Sequence, residues 1–155
     1  MKLHVEWARP VPLRPSRDGI SYTVDLARVS DYPGVYIFGR RHGERFEALY
    51  VGKSMSIRRR VKGHLNSVRL MQHIRTAKTG KRVLLVGEYI TKPGQRIDKC
   101  LALTERALIR NFLSEGHDLV NLQGTLIRRH ELESTGRHPK KFFPNLIYLE
   151  RSRGA

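Results

Sequence analysis

Tyr36, Tyr50, Arg60 and His64 are the residues whose types and spacing suit chemistry better than packing, and Glu105 is a further carboxylate whose reading depends on theirs. Tyr36 lies in Pro33-Gly-Val-Tyr-Ile-Phe38 and Tyr50 in Leu49-Tyr-Val-Gly-Lys-Ser54, each run carrying a glycine, Gly34 or Gly52. Arg60 and His64 follow four residues apart, which on a helix sets them about 40° apart on one face, one turn apart. Hydrolysing a phosphodiester requires an attacking water, charge near the phosphoryl oxygens and help for the leaving oxygen. Arg60 offers a planar fork for non-bridging oxygens. Lys53 offers a point charge, and His64 a base of convenient intrinsic pKa. Glu105 is a carboxylate that can hold a hard divalent ion completed by water and phosphate oxygens.

The elements that must position these residues can be read from composition and period. Runs rich in Val, Ile, Phe and Tyr favour extended backbone. The polar Arg40-Arg-His-Gly-Glu-Arg45 between them reads as a hairpin with a longer loop. Ser54 and Ser56 are candidate caps for the next helix, which spans Ile57 to Val68 with Ile57, Val61, Leu65 and Val68 as its apolar stripe. Arg60 and His64 sit on the border of that stripe. Arg58, Arg59 and Lys62 point elsewhere and, with Lys53, are candidate contacts to a polyanion's phosphates. Gly63 is costly inside a helix, at about 1 kcal/mol against Ala. It either admits another backbone or is merely tolerated.

A short helix over 71–77 comes next, then a strand over 82–90 without clean alternation, as suits one covered on both faces. It joins the hairpin as a third, central strand. A long helix, 96–114, stops at Gly116. Its stripe is Ile97, Leu101, Leu108 and Phe112, with Glu105 inside it. A carboxylate there must reach a cleft, a metal or a cation, because burying it alone is costly. An ordinary pairing with one of the many Lys or Arg residues is the competing reading.

The residues 1–31 hold Pro10, Pro12 and Pro15 among arginines and read as an extended arm that packs on the domain, with an edge strand near 22–26. From 123 to 155 the chain is basic and interleaved with Phe142, Phe143 and Tyr148, and 145–149 is a candidate strand closing the core.

At 155 residues the chain is one domain by the usual prior, with 39% hydrophobic and 28% charged residues. Thirty Lys and Arg against fourteen Asp and Glu give a net charge of +16, which points to a polyanionic partner, nucleic acid first. A basic structural protein of the ribosomal kind has the same charge. One cysteine, Cys100, excludes an intrachain disulfide and a cysteine-rich zinc site, as expected in a reducing cytoplasm. Neither a signal peptide nor a membrane-spanning run is present, so the expectation is a cytoplasmic protein, nucleoid-associated in a bacterium. Gly52-Lys53-Ser54 lacks the earlier glycine of a phosphate-cradling loop, which argues against ATP use.

Gly34-Val35-Tyr36, Tyr50-Val51-Gly52-Lys53, Arg60, His64, Glu105 and the later Asn121 resemble, in order, the motifs of the GIY-YIG nuclease superfamily. The resemblance covers about residues 32–122. Fourteen residues separate Tyr36 from Tyr50, more than is usual there, and a longer hairpin tip is expected to absorb them. The resemblance implies a small, mainly antiparallel three-stranded α/β sheet flanked by helices, and a stand-alone endonuclease acting on DNA with Mg²⁺ or Mn²⁺. It makes Glu105 the metal ligand, Asn121 a closing residue, and one of the two tyrosines the general base, with its partner and His64 in the surrounding network. Tyr36 and Tyr50 are equal candidates, and Lys53 and Arg60 are expected to depress their pKa values. Double-strand cleavage would require a homodimer or successive nicks. The alternative is a non-catalytic DNA- or RNA-binding module on the same fold.

Overall fold

The structure, a computed structural model, describes residues 1–77, 79–120, 127–137 and 141–152, apart from the side chains of 127–129 and 148–152. Four short strands come first: β1 (Val5–Trp7), β2 (Val11–Pro12), β3 (Arg14–Pro15) and β4 (Tyr22–Thr23). A one-turn 3₁₀ helix (Leu26–Arg28) precedes the long hairpin of β5 (Gly34–His42) and β6 (Arg45–Ser54). Then come α1 (Ile57–His64), α2 (Val68–Thr76), β7 (Lys81–Tyr89), α3 (Ile97–Ser114), β8 (Ile127–Glu133) and β9 (Leu146–Ser152). The fold is mixed α/β, and every strand pair is antiparallel.

The main sheet has five strands rather than three, in the order β1-β7-β5-β6 with β2 also on β7. The central strand of the hairpin set is β5, whose residues Gly34 to Gly39 are all buried. β7 is interior for a different reason: proline keeps residues 1–15 extended, and their backbone pairs with the edge that β7 would otherwise expose. Val11, Leu13 and Val29 carry this N-terminal segment into the core.

The hairpin tip is not long. His42 pairs with Arg45, leaving a two-residue turn in which Gly43 takes a φ of 61°, the conformation such a turn asks of its first central residue. The extra length lies in the strands, including one bulge: Phe38 pairs with Tyr50 and Gly39 with Ala48, so Leu49 is the inserted residue. The bulge turns Leu49 and Tyr50 to the same face, with Tyr36 and Phe38, while Ala48 and Val51 pack with α3 on the other.

Helices cover both faces. Ile57, Val61, Leu70, Met71 and Ile74 of α1 and α2 pack on Phe38, Leu84 and Val86, and Ile109 and Leu113 of α3 pack on Ile37, Ala48 and Val51. The continuous helix expected over 57–68 is two helices. α1 stops at His64, Ser67 caps α2 by accepting from the Leu70 N–H at 3.4 Å, and Val68 stands 71% exposed.

Neither serine caps α1 as expected. Ser56 holds the cap position but donates its hydroxyl to Asp31, and Ser54 Oγ accepts from the Ser56 N–H. The orphan N–H groups of Ile57 and Arg58 instead donate to the carbonyls of Tyr32 and Ser30, at 3.3 and 2.9 Å. Gly63 meets nothing within 4 Å, so it admits no close neighbour.

The strand over 145–149 exists, but it pairs with β8 in a separate two-stranded sheet and lies against α3 rather than closing the main core. Among the described residues no helix is long and apolar enough to cross a membrane.

Candidate active site

Strand pairing sets Tyr36 opposite Gly52, and the tyrosine ring lies over that glycine. A Cβ at position 52 would sit 2.3 Å from the Tyr36 hydroxyl and 2.4 Å from Cζ. Gly34 has a parallel reason: a Cβ there would meet the Gly87 carbonyl oxygen at 2.0 Å and Ile57 Cδ1 at 2.7 Å. One glycine lets the phenol lie flat across β6, and the other lets α1 close on β5.

His64, at the end of α1, reaches back to this seat. Its Nε2 lies 2.7 Å from the Tyr36 hydroxyl. Ring centroids are 4.9 Å apart for Tyr50 and His64, 5.6 Å for Tyr36 and His64, and 6.3 Å for the two tyrosines. Burial, helped by the positive charge of Arg60, lowers the His64 pKa to about 4. At neutral pH its ring is therefore uncharged and can accept the Tyr36 proton.

The phenols do not behave as the sequence suggested. Burial raises both pKa values, and the negative charge of Glu105 adds to it. Arg60 works in the expected direction, as a nearby charge on both tyrosines and a hydrogen-bond donor to Tyr36, but desolvation outweighs it. Lys53 acts on Glu105 rather than on a tyrosine.

Glu105 is half-buried on α3, beside the buried Leu101 and Thr104. Burial raises its pKa, and the opposing influence is the charge of Lys53 on β6. Among the described residues no ion pair or hydrogen bond holds its carboxylate. No group of three His, Cys, Asp or Glu surrounds a common point among those residues. A half-buried carboxylate within electrostatic reach of two phenols and of Lys53 fits a divalent cation that draws its other ligands from water and substrate.

Tyr36, Tyr50, Arg60, His64, Glu105 and Lys53 therefore share one electrostatic neighbourhood. Arg58, Arg59 and Lys62 lie apart, lining a cleft with Leu26, Asp31 and Ser56. Arg58 is not free for DNA along its whole fork: its Nε donates to the Val29 and Leu26 carbonyls at 2.9 and 3.1 Å. Asn121 lies outside the described residues.

Phe38 is a member of the cluster that motif reasoning missed. Its ring stands 6.3 Å from Tyr50 and 6.0 Å from His64, and it shares the hydrophobic core with Tyr36. The signal was available, since residues two apart on a strand share a face.

Comparison with known proteins returns nothing: no family model, no curated protein and no solved structure matches this chain.

Proposed function

We propose that this chain is a divalent-metal-dependent endonuclease hydrolysing DNA phosphodiester bonds, on a fold of the GIY-YIG nuclease type. The observation that carries the reading is the convergence of two phenols, a neutral histidine, a guanidinium and an unpaired carboxylate at one edge of the sheet. Binding alone needs no such set, and the +16 charge supplies the attraction to DNA.

Tyr50 is half-buried and keeps surface for a water, whereas Tyr36 is sealed but has in His64 an acceptor for its proton. In series, the water yields a proton to Tyr50, the Tyr50 proton passes to Tyr36, and the Tyr36 proton passes to His64 Nε2. Burial and Arg60 keep His64 unprotonated above about pH 4, so Nε2 is open as an acceptor, while the same lowered pKa makes it a weak base. Arg60 steadies the developing negative charge on phenol and phosphate together. Glu105 would hold Mg²⁺ or Mn²⁺, which when bound supplies positive charge to the phosphoryl and leaving oxygens. One site cuts one strand, so double-strand breaks require a second copy or a second visit.

One observation favours a non-catalytic DNA-binding module instead: burial keeps both phenols protonated. Supercoiled plasmid separates the two readings. The enzyme nicks it in Mg²⁺ and not in EDTA, and Arg60→Lys, which cannot reproduce a bidentate fork, nicks on the order of 10²-fold more slowly with an unchanged melting temperature. Parental nicking by Arg60→Lys would reduce Arg60 to a surface charge, and no nicking by the parent would leave the binding module.

A further inference from the structure

Arg58 is an exposed residue in the first turn of α1, yet its Nε–H turns back onto the chain. It donates to the Val29 carbonyl at 2.9 Å and to the Leu26 carbonyl at 3.1 Å. Those carbonyls lie at the 3₁₀ turn of Leu26–Arg28, where so short a helix leaves acceptors to be satisfied from outside. The backbone N–H of Arg58 donates to the Ser30 carbonyl at 2.9 Å, and that of Ile57 to the Tyr32 carbonyl at 3.3 Å. Side chain and main chain of Arg58 therefore grip one segment, residues 26–32, at different points.

That segment belongs to the frame of the sheet. Ser30 Oγ donates to Glu88 Oε1 on β7 at 2.5 Å and accepts the Tyr32 N–H at 3.1 Å. The Pro33 carbonyl accepts the Tyr89 N–H at 2.9 Å, and β5, which carries Tyr36, begins at Gly34. Val29 is buried in the same core as Tyr36. Whatever is fixed to residues 26–32 is thus fixed relative to Tyr36. α1 needs that hold, because its eight residues are too few to persist by themselves and only Ile57 and Val61 among them are buried. His64 lies about 9 Å along the axis from Arg58, so a tilt of about 10° at the Arg58 end moves it by about 1.5 Å. The 2.7 Å approach of His64 Nε2 to the Tyr36 hydroxyl would not survive that shift as a hydrogen bond.

We infer that Arg58 is a positioning residue for the site: its Nε–H, shared between the Leu26 and Val29 carbonyls, sets the tilt of α1 and with it the places of Arg60 and His64 against Tyr36. The consequence for nicking rests on the nuclease reading, whereas the consequence for His64 does not. A contact to phosphate uses the charge of Arg58 and leaves α1 where it is. A positioning role uses an N–H at a set reach from Cα and has no need of the charge.

Two substitutions separate these roles. The amide nitrogen of Gln is as many bonds from Cα as the Nε of Arg, so Arg58→Gln removes the charge and keeps a donor. Arg58→Met has similar reach and helix propensity but no donor. The readout is NMR titration of the His64 ring, its signal identified with His64→Gln. In the parent that ring faces Tyr36, Tyr50 and Arg60 and should titrate at about 4. Arg58→Met should move the midpoint toward the ordinary value of about 6.5 as the ring loses burial. It should also slow nicking at saturating protein on the order of 10²-fold. Arg58→Gln should keep the parental midpoint and rate, and both variants should bind duplex DNA in EDTA alike. An equal His64 midpoint in Arg58→Met and Arg58→Gln overturns the inference, whether it is parental or displaced. So does an Arg58→Met that fails to fold, which would make Arg58 part of the general scaffold. A parent that never nicks plasmid, with His64 displaced by Arg58→Met and restored by Arg58→Gln, supports the positioning role and removes the nuclease reading.

Discussion

Glu105 is the residue at which scaffold and site make opposite demands. It sits among apolar neighbours on α3, its pKa is raised by burial, and the charge of Lys53 opposes that rise. Glu105→Gln removes a charge that the fold desolvates and keeps the shape. The variant should melt in EDTA at or above the parental temperature, since desolvating a charge costs more than desolvating an amide. Nicking in Mg²⁺ should fall by at least about 10², with DNA binding in EDTA retained. A structural Glu holding a buried cation would instead make Gln destabilising by about 3–5 kcal/mol. Early melting of the Gln variant would therefore decide against a metal ligand.

Two histidines with shifted pKa values make a second prediction at this scale. His64 is lowered to about 4 and His117 is lowered as well, each mainly by burial. His117 Nδ1 accepts the Ala48 N–H at 2.9 Å, beside the bulge, and protonation would remove that acceptor. For a group whose folded pKa is depressed, the unfolded chain takes up the proton first. Stability is then full above about 6.5 and falls as pH drops toward about 4 for His64. Melting followed from pH 7.5 downward should show this loss, and His64→Gln should flatten it. A parental melt unchanged across that window would contradict the buried, neutral His64.

At the scale of the element, the hairpin decides whether the phenols meet. Gly52→Ala puts a methyl where the Tyr36 ring lies, 2.3 Å from its hydroxyl. The ring must leave its seat or β6 must move, a cost of about 1–3 kcal/mol. Melting should register that cost, and nicking should fall with it through loss of the Tyr36–His64 bond. Full activity in Gly52→Ala would show that the Tyr36 seat is dispensable. The bulge at Leu49 is the other device of this element, because without its extra residue Tyr50 and Ala48 could not hold their present faces.

At the scale of the whole molecule, charge governs encounter. With +16 overall, duplex affinity should fall steeply with salt, with a log–log slope of about −0.9 for each phosphate neutralised. Affinity measured between low and moderate salt checks this, and a flat dependence would remove the polyanion argument.

Local sequence determined the strands carrying Tyr36 and Tyr50, the turn-to-turn spacing of Arg60 and His64, and the long helix bearing Glu105. Period and composition act over a few residues, and these elements need nothing more. Tertiary structure decided what those residues experience. The carbonyls of Ser30 and Tyr32 took over the start of α1, and those of Leu26 and Val29 took the Nε of Arg58, which the helix alone had left to DNA. The N-terminal segment became two strands of the main sheet because β7 offered an edge, and an edge is a property of the assembled sheet. Burial reversed the expected direction of the phenol pKa values. Desolvation depends on everything packed around a group, so a sequence that names the neighbouring cations still cannot say which effect wins.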